Sequence, residues 1–272
     1  MTEQKLLSQR QFEKFRELVK KRLGIHLSDA KKDMVQSKVT KLMRDAGISS
    51  YDEYYDLIYN SKNSLWSVFV DNITIHKTNF FREDNHFNFI RDKIDHILKF
   101  NPRILRNQEI RIWSSACSTG DEAYTIAMVL KEYIPSGINI KILATDVSSL
   151  VIQEAQNAEY ILDSGDVINP YFLNKYFKKF SNIYKITDEI KNLVTFRTFN
   201  LMDNFPFRNN FDIIFCRNVM IYFASETQAE LIKKFYNALT RGGLLLIGHS
   251  ESLTQIQYKF KYVQPTIYMR IE

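Results

Sequence analysis

Apolar residues recur every three or four positions through the first quarter of the chain, with polar and charged residues between them. One face of an α-helix receives every third or fourth side chain, so this spacing predicts amphipathic helices. They are predicted at residues 11–23, 29–46, 51–60 and 65–75. No segment in this region alternates as a strand does. Residues 1–75 are therefore predicted to form a small all-α domain.

From residue 76 onward, short apolar runs alternate with helical segments. The predicted strands are 110–114, 139–145, 193–199, 211–216 and 243–248, and the predicted helices are 84–99, 121–133, 148–157 and 225–240. Such alternation favours a mostly parallel sheet with helices on both faces. Two further strands, 258–263 and 266–271, surround Gln264 and Pro265 and predict an antiparallel hairpin at the sheet edge. Residues 76–272 are thus predicted to form an α/β domain.

Residues 160–192 do not fit this alternation. They are predicted to be an insertion between the second and third strands of the sheet. Within it, the pattern favours a helix at 171–180 and a short hairpin at 184–190.

The composition agrees with a globular protein of two domains, because 45% of the 272 residues are apolar. Cys117 and Cys216 provide neither a disulfide framework nor the spacing of a metal site, so we expect a reducing compartment and no metal. The first residues are polar, and no apolar run approaches the roughly 20 residues of a membrane span. We therefore expect a cytoplasmic protein without membrane insertion.

The positive charge is concentrated near the N-terminus. Residues 1–44 carry twelve Lys or Arg and five acidic residues, whereas the whole chain has a net charge of +6. Such a segment indicates an acidic partner, which could be nucleic acid, anionic lipid or an acidic protein. The alternative is a solvated helix face with no partner.

Candidate chemistry lies after the predicted strands, where open α/β sheets bind ligands. Small residues and Gly120 follow the first strand and would let the backbone approach a ligand. Asp146 follows the second strand, 26 residues after Gly120, near the roughly 20-residue offset of a ribose-binding acid. Asp146 could instead cap the next helix. Arg217 and Asn218 follow the fourth strand and need partners there. No Walker loop is present, so these residues indicate a nucleoside-binding domain rather than a nucleoside triphosphate site.

Five motifs together make the chain resemble the chemotaxis receptor methyltransferases of the CheR type. The motifs occur in order at 78–83 (TNFFRE), 113–122 (WSSACSTGDE), 144–146 (ATD), 215–223 (FCRNVMIYF) and 248–252 (GHSES). The resemblance covers nearly the whole chain. It implies a Rossmann-like methyltransferase domain preceded by an all-α domain and carrying an inserted β-subdomain. It also implies methyl transfer from S-adenosylmethionine to glutamate carboxylates of chemoreceptors.

The same resemblance implies roles for particular residues. It places Arg82 on the methionine carboxylate with Thr78 beside it, Glu122 on the methionine ammonium, and Asp146 on the ribose hydroxyls. The positions implied for adenine are Asn200 and Leu201, those lining the methyl-transfer site are Asn218 and Tyr222, and the one facing the substrate carboxylate is Arg217. Arg82 could instead form a surface ion pair, and Tyr222 could belong to the core.

Three residues depart from the family pattern: Ala116 replaces a usual Gly, Asp121 a Glu, and Ala123 a Pro. The loss of Pro costs some preorganisation at the first helical turn. None removes a charge that the mechanism needs, so we expect a changed cofactor affinity and retained activity.

The implied partners are the cytoplasmic helical domain of chemoreceptors, docked on the basic segment, and a receptor C-terminal tail on the inserted subdomain. We expect a monomer. Three alternatives remain: a methyltransferase of this fold acting on another protein or a small acid, a cofactor-binding regulatory module, and a nucleic-acid methyltransferase. The last lacks the Asn/Asp-Pro-Pro-aromatic motif of amino methylation on flipped bases, so we expect no nucleic acid.

Overall fold

A computed structural model describes residues 6–60, 64–162, 168–207, 211–253 and 259–272. The chain divides into two compact units. The first comprises Met1–Ile75 with Tyr222–Thr227, and the second comprises His76–Ile221 with Gln228–Glu272. Among the helices in these described ranges, none has the length and apolar character that crossing a bilayer requires.

The first unit is helical, as the sequence predicts. Its helices are α1 (Gln9–Leu23), α2 (Lys32–Asp45), α3 (Tyr51–Asn60) and α4 (Ser64–Ile73), with a 3₁₀ turn at Asp29–Lys31. The Ser8 side chain accepts a hydrogen bond from the Gln11 amide and caps α1, and Gly24 ends this helix in the left-handed conformation at φ 71°. Phe15 packs on the ring of Tyr55 from α3 and of Phe69 from α4, with ring centroids 5.5 and 6.1 Å away.

The second unit contains two sheets and seven α-helices in its described part, and the first three residues of the last helix are assigned to the first unit. The strands are β1 (Glu109–Ser115), β2 (Asn139–Asp146), β3 (Glu159–Tyr160), β4 (Phe177–Phe180), β5 (Ile183–Ile186), β6 (Val194–Thr198), β7 (Phe211–Cys216), β8 (Leu239–Ile247), β9 (Phe260–Gln264) and β10 (Ile267–Arg270). The helices are α5 (Asn85–Phe100), α6 (Pro102–Asn107), α7 (Asp121–Tyr133), α8 (Ser149–Asn157), α9 (Pro170–Tyr176), α10 (Asp188–Lys191) and α11 (Ser225–Ala238).

The larger sheet has seven strands in the order β6-β2-β1-β7-β8-β10-β9. The first five of these pair in parallel, and β10 pairs antiparallel with both β8 and β9. This confirms the predicted mostly parallel sheet with an antiparallel C-terminal hairpin. The chain runs from β1 outward through β2 to β6, then returns to β7 on the other side of β1. The strand order therefore reverses between β1 and β7.

The smaller sheet has the order β3-β5-β4, and all of its residues except Glu159 fall in the predicted insertion. The predicted helix at 171–180 is wrong in its second half, because α9 ends at Tyr176 and the next four residues form β4. The predicted hairpin at 184–190 is also displaced, since β4 pairs with β5 from Phe177–Ile186 to Phe180–Ile183. Ser181 adopts φ 55° in the turn between them. The short helix α6, which begins at Pro102, was not predicted.

Candidate active site

The ends of three strands define the candidate site. Ser115, at the end of β1, is in register with Thr145 of β2 and with Cys216 of β7. The residues that follow these strands therefore start at the same edge of the sheet, where the strand order reverses. Open α/β sheets bind their ligands at this point.

The loop after β1 contains three left-handed residues, Ala116 at φ 64°, Ser118 at φ 50° and Gly120 at φ 93°. A Cβ on Gly120 would lie 2.9 Å from the Cβ of Ala155, so both conformation and packing require glycine there. Ala116 has no such freedom and adopts a conformation that costs an L-residue about 1–2 kcal/mol. Alanine at position 116, where the family usually has glycine, therefore carries a conformational cost.

Replacement of Ala116 by glycine should raise the free energy of unfolding by up to about 1 kcal/mol, because glycine removes the left-handed penalty but loses more chain entropy. Urea denaturation measures this change. The matched control is Ala123→Gly in the regular helix α7, where glycine should destabilise by about 1 kcal/mol. Equal destabilisation by both changes would contradict the argument.

Asp146 is buried at the end of β2, and backbone amides of Ser118, Val147 and Ser148 support its carboxylate. Its Oδ2 accepts from the Ser118 amide at 2.9 Å, and its Oδ1 accepts from the Ser148 amide at 3.1 Å. Burial raises the pKa of Asp146 above its usual range, although these amides oppose the shift. The helix that follows is capped by Ser148, whose side chain accepts from the Val151 amide, so the capping alternative for Asp146 is wrong. A carboxylate accepts about four hydrogen bonds, so Asp146 can still accept from a further donor.

Asn200 and Leu201 follow β6 and lie beside the end of β2, since the Phe199 amide donates to the Asp146 carbonyl at 2.8 Å. Asn200 Oδ1 accepts from the Met202 amide at 3.0 Å, and the Leu201 side chain is buried. The Lys234 ammonium donates to the carbonyl of Leu201 at 3.2 Å and to the two that follow. Lys234 of α11 therefore holds this turn in place.

Arg217 is the centre of a buried ion cluster. Its side chain is 2% exposed and donates to Glu83 Oε2 from Nη2 at 3.1 Å and to Glu122 Oε2 from Nη1 at 3.0 Å. Its Nε also donates to Glu83, and its Nη2 donates to the Arg82 carbonyl. Four of the five guanidinium N–H groups thus have partners among the described residues. One donor remains for another ligand.

The two carboxylates of this cluster differ in their response to burial. Burial alone would raise the pKa of Glu83, but the Arg217 charge, the Asn218 amide group and the His249 backbone amide together hold it below its usual range. At Glu122 burial has the larger effect. Its pKa is raised, although the Arg217 charge and the hydrogen bond from Ser114 oppose the shift. With both acids ionised, the cluster has one net negative charge, which suits a cationic ligand.

Asn218 is placed by two further groups. It adopts φ 57°, its Nδ2 donates to Glu83 Oε1 at 3.1 Å, and its amide donates to Glu251 Oε2 at 3.1 Å. A Cβ on Gly248 would lie 2.7 Å from Asn218 Nδ2, so glycine allows the strand end to approach this side chain.

Glu251 collects five backbone amides on one buried carboxylate. Its Oε1 accepts from Val219, Met220 and Ile221, and its Oε2 accepts from Asn218 and Gly248. Burial raises the pKa of Glu251, and these amides oppose the shift. The motif at 248–252 contains Glu251, but no role for it can be predicted from the sequence, because its partners are backbone amides and leave no pattern of side chains to recognise.

Arg82 and Thr78 precede this cluster and are half-buried. Arg82 Nη1 donates to the Lys77 carbonyl at 2.8 Å, and no ion pair of Arg82 is found among the described residues. Phe81 and Glu83, on either side of Arg82, adopt φ 54° and 56°. Left-handed residues other than glycine thus gather around the cluster, as strained backbone does at functional sites.

Tyr222 is the candidate that the structure does not group with the others. It belongs to the first unit, where its carbonyl accepts from the His26 amide at 2.7 Å, and the next residue, Phe223, forms an antiparallel bridge with Ile25. The remaining candidates all belong to the second unit.

The basic segment divides into internally bonded and exposed cations. Lys14 Nζ lies 2.5 Å from Asp52 Oδ1, and Lys38 Nζ donates to the Asn72 carbonyl at 2.6 Å. Burial lowers the pKa of Lys38. The exposed cations in the described part of this segment are Arg10, Lys20, Lys21, Lys31, Lys41 and Arg44. They lie on or next to α1 and α2.

Comparison with known proteins adds an independent line of evidence. A chemotaxis protein methyltransferase of Borreliella burgdorferi is 38% identical over 261 residues, which cover 93% of this chain and 91% of that protein. The Escherichia coli protein of the same name is 33% identical over 275 residues, covering 98% and 93%. A solved structure of DhpI with SAH is more distant, at 12% identity and a TM-score of 0.34 over 70% of this chain and 74% of that one.

Family models match both parts of the chain. The all-alpha domain of CheR methyltransferase matches residues 10–74, and the SAM binding domain of CheR methyltransferase matches residues 76–269. These matches confirm the predicted enzyme class and cofactor. The chain therefore belongs to the CheR methyltransferase family, as its motifs predict, and its cofactor is S-adenosylmethionine.

Proposed function

We propose that this protein transfers a methyl group from S-adenosylmethionine to glutamate side-chain carboxylates of chemoreceptors and so forms methyl esters in chemotaxis adaptation. The observation that carries this proposal is the buried Arg217 with one unused donor at the edge of the sheet, beside carboxylates that favour a cation. A guanidinium donor suits a carboxylate substrate, and the surrounding acids suit a sulfonium cofactor.

The residues at the sheet edge fit the parts of this cofactor. Asp146 can accept from a further donor besides its backbone amides, which suits a ribose hydroxyl. Glu122 has little exposure, at 12% of its side chain, and its charge suits the methionine ammonium. We assign Arg82 and Thr78 to the methionine carboxylate and the turn at Asn200–Leu201 to adenine, and Ala116 lies in the loop that approaches the cofactor.

The reaction needs orientation more than proton transfer. A glutamate carboxylate has an ordinary pKa of about 4.3 and is ionised at neutral pH, so no general base is required. When bound, the cofactor supplies an electrophilic methyl group on a positive sulfur; a carbon–oxygen bond forms as the carbon–sulfur bond breaks. The protein must remove water from the carboxylate and align it, and alignment contributes up to roughly 7–11 kcal/mol in favourable cases.

Arg217 and Asn218 are the residues we assign to this alignment. Because Glu83 and Glu122 already partner Arg217, its remaining donor can hold one substrate oxygen without fully neutralising the substrate. The other oxygen keeps its nucleophilicity. We assign Asn218 to the side of the methyl-transfer site, and the role that the resemblance implies for Tyr222 stays a prediction.

The chemical identity of the product tests this proposal. The protein is incubated with cofactor carrying a labelled methyl group and either receptor membranes or nucleic acid, and the product is treated with base. We expect label on the receptor that base releases, because a carboxyl methyl ester is base-labile. Label that base does not release, label on nucleic acid, or absence of transfer would overturn the proposal in favour of another methyltransferase or a regulatory module.

Asp146→Asn should lower the affinity for S-adenosylhomocysteine about 10- to 100-fold, because hydrogen bonds to a charged acceptor contribute about 1.5–3 kcal/mol. Titration calorimetry on the folded variant measures this change. Asp203→Asn, at an exposed acid just after the proposed adenine-binding turn, is the control and should leave the affinity unchanged. Wild-type affinity in Asp146→Asn would refute the assignment.

The exposed cations of the first unit suit an acidic helical domain of a receptor. Charge reversal at Lys20, Lys21 and Lys41 should slow receptor methylation severalfold and flatten its salt dependence, since exposed charges act mainly on association. Reversal at Lys93 and Lys99, exposed lysines of α5, serves as the control. Equal rates in the two variants at low salt would exclude this docking surface.

The smaller sheet offers a second contact with a receptor. Its edge strand β4 has one neighbour, β5, and its Phe180 is 58% exposed. An extended C-terminal tail of a receptor could add to this edge as a further strand.

We propose that the protein acts in the cytoplasm as a monomer.

A further inference from the structure

Two histidines and a carboxylate converge in the second unit, and the methyl-transfer scheme gives the histidines no task. One potential ligand atom from each of Glu83, His86 and His249 lies within 4.8 Å of the other two. His86 lies in the first turn of α5, Glu83 lies just before this helix, and His249 follows β8.

The hydrogen bonds of Thr266 determine which nitrogen of His86 carries its proton. The Thr266 hydroxyl donates its single proton to the Pro265 carbonyl at 2.6 Å. Its oxygen must therefore accept from His86 Nε2, also 2.6 Å away. Nε2 is therefore the protonated nitrogen, and Nδ1 is unprotonated and can act as an acceptor or a metal ligand.

This lone pair is buried without a donor. His86 is completely inaccessible to solvent, and its Nδ1 has no hydrogen-bond partner among the described residues. Nδ1 instead faces Glu83 Oε2 at 3.8 Å. Two electron-rich atoms that face each other at this distance create a place for a positive charge, and buried polar atoms ordinarily have a partner.

His249 has the same arrangement of its ring nitrogens. Its Nε2 lies 2.8 Å from Asn85 Oδ1, which only accepts, so Nε2 carries the proton, and no partner of Nδ1 is found in the described part of the chain. The two imidazole rings lie with centroids 5.5 Å apart. His249 is exposed, which gives solvent access to the cluster.

We propose that Glu83, His86 and His249 form a binding site for a divalent transition-metal ion such as Zn²⁺. Two imidazole nitrogens and one carboxylate oxygen are ligands that zinc prefers, and a fourth position remains for water. Ligating histidines ordinarily donate their other ring N–H to an oxygen, as both histidines do here. The sequence predicts no metal site, because Glu83 and His249 lie in separate motifs and His86 lies in none of them.

The net charge of the cluster permits a bound cation, but that cation would compete with Arg217 for Glu83. The acids Glu83 and Glu122 outnumber the single guanidinium, so a cation is not opposed by net positive charge. A metal ion would share Glu83 Oε2 with Arg217 and weaken their ion pair. The ion should therefore reduce methyl transfer; this consequence rests on the proposed function, whereas binding of the ion does not.

Metal binding to the purified full-length chain tests the proposal without any methyl acceptor. After treatment with a chelator, the protein is titrated with Co²⁺, whose visible absorption reports its ligands, and with Zn²⁺ by calorimetry. We expect one ion per chain. His249→Asn should weaken binding at least tenfold, and Asn85→Ala should weaken it about 10- to 100-fold by releasing the His249 ring.

His96→Asn, at an exposed histidine of α5, is the matched control and should bind as wild type does. His249 is exposed, so its variant remains informative if a change at buried His86 prevents folding. Absence of one-to-one binding, or equal affinity in wild type and His249→Asn, would overturn the site. Since this readout requires no reaction, failure of the metal site is distinct from failure of the methyl-transfer proposal.

Discussion

Replacing Arg217 by alanine should abolish receptor methylation and lower the free energy of unfolding by about 3–5 kcal/mol. The change leaves two largely buried carboxylates, Glu83 and Glu122, without their cation, and breaking a buried ion pair has a cost of this size. It also removes the donor that we assign to the substrate. Urea denaturation and the labelled-methyl assay measure the two effects separately.

The pH dependence identifies the cause of this instability. In Arg217→Ala the pKa of both carboxyls should rise above the unfolded value, so the folded state binds protons more readily. Stability of the variant should then fall as the pH rises from about 5 to 8. The triple variant with Glu83→Gln and Glu122→Gln should recover stability without recovering methylation. A triple variant that methylates receptor at the wild-type rate would refute the role of Arg217.

Glu251→Gln should destabilise the protein and lower the turnover number. The carboxamide has one oxygen, so its amino group would face either the three amides on Oε1 or the two on Oε2, and each unpaired buried amide costs about 1–3 kcal/mol. These amides hold residues 218–221, so Asn218 and Arg217 should lose their alignment.

Two measurements separate positioning from simple loss of stability in this variant. At a temperature where Glu251→Gln is fully folded by circular dichroism, the turnover number should still fall while the affinity for S-adenosylhomocysteine changes less. Glu230→Gln, at an exposed glutamate of α11, is the control. An unchanged turnover number under these conditions would make Glu251 a purely structural residue.

Local pattern was sufficient for elements whose burial repeats regularly. Helix α7 has the bounds that the sequence predicts, because an uninterrupted run of apolar or small residues at 123–130 is flanked by charged residues and Gly120 precedes the helix. The pattern failed at β4, where Phe177 and Phe180 suit a helical stripe as well as a strand. At these residues the pairing of β4 with β5 favours a strand over a helix, and the pattern within residues 177–180 does not contain that partner.

The same distinction applies to the candidate site. Asp146 and Arg217 could be found from the sequence because both follow buried strands, and parallel strands bring such residues to one edge. Glu83 and Glu251 could not be assigned a task, since their partners are a distant guanidinium and a set of backbone amides. The left-handed conformation of Ala116 could not be predicted from the sequence either, because only the folded loop imposes it.

The membership of Tyr222–Thr227 in the first unit has a consequence for modularity. A shortened protein that begins at His76 would keep these residues but lose Ile25 and His26, to which they are hydrogen bonded. The backbone bond that fixes Tyr222 would go with them. Recombination that exchanges only the N-terminal helices between relatives would therefore divide one structural unit, so the helices and this short segment should be inherited together.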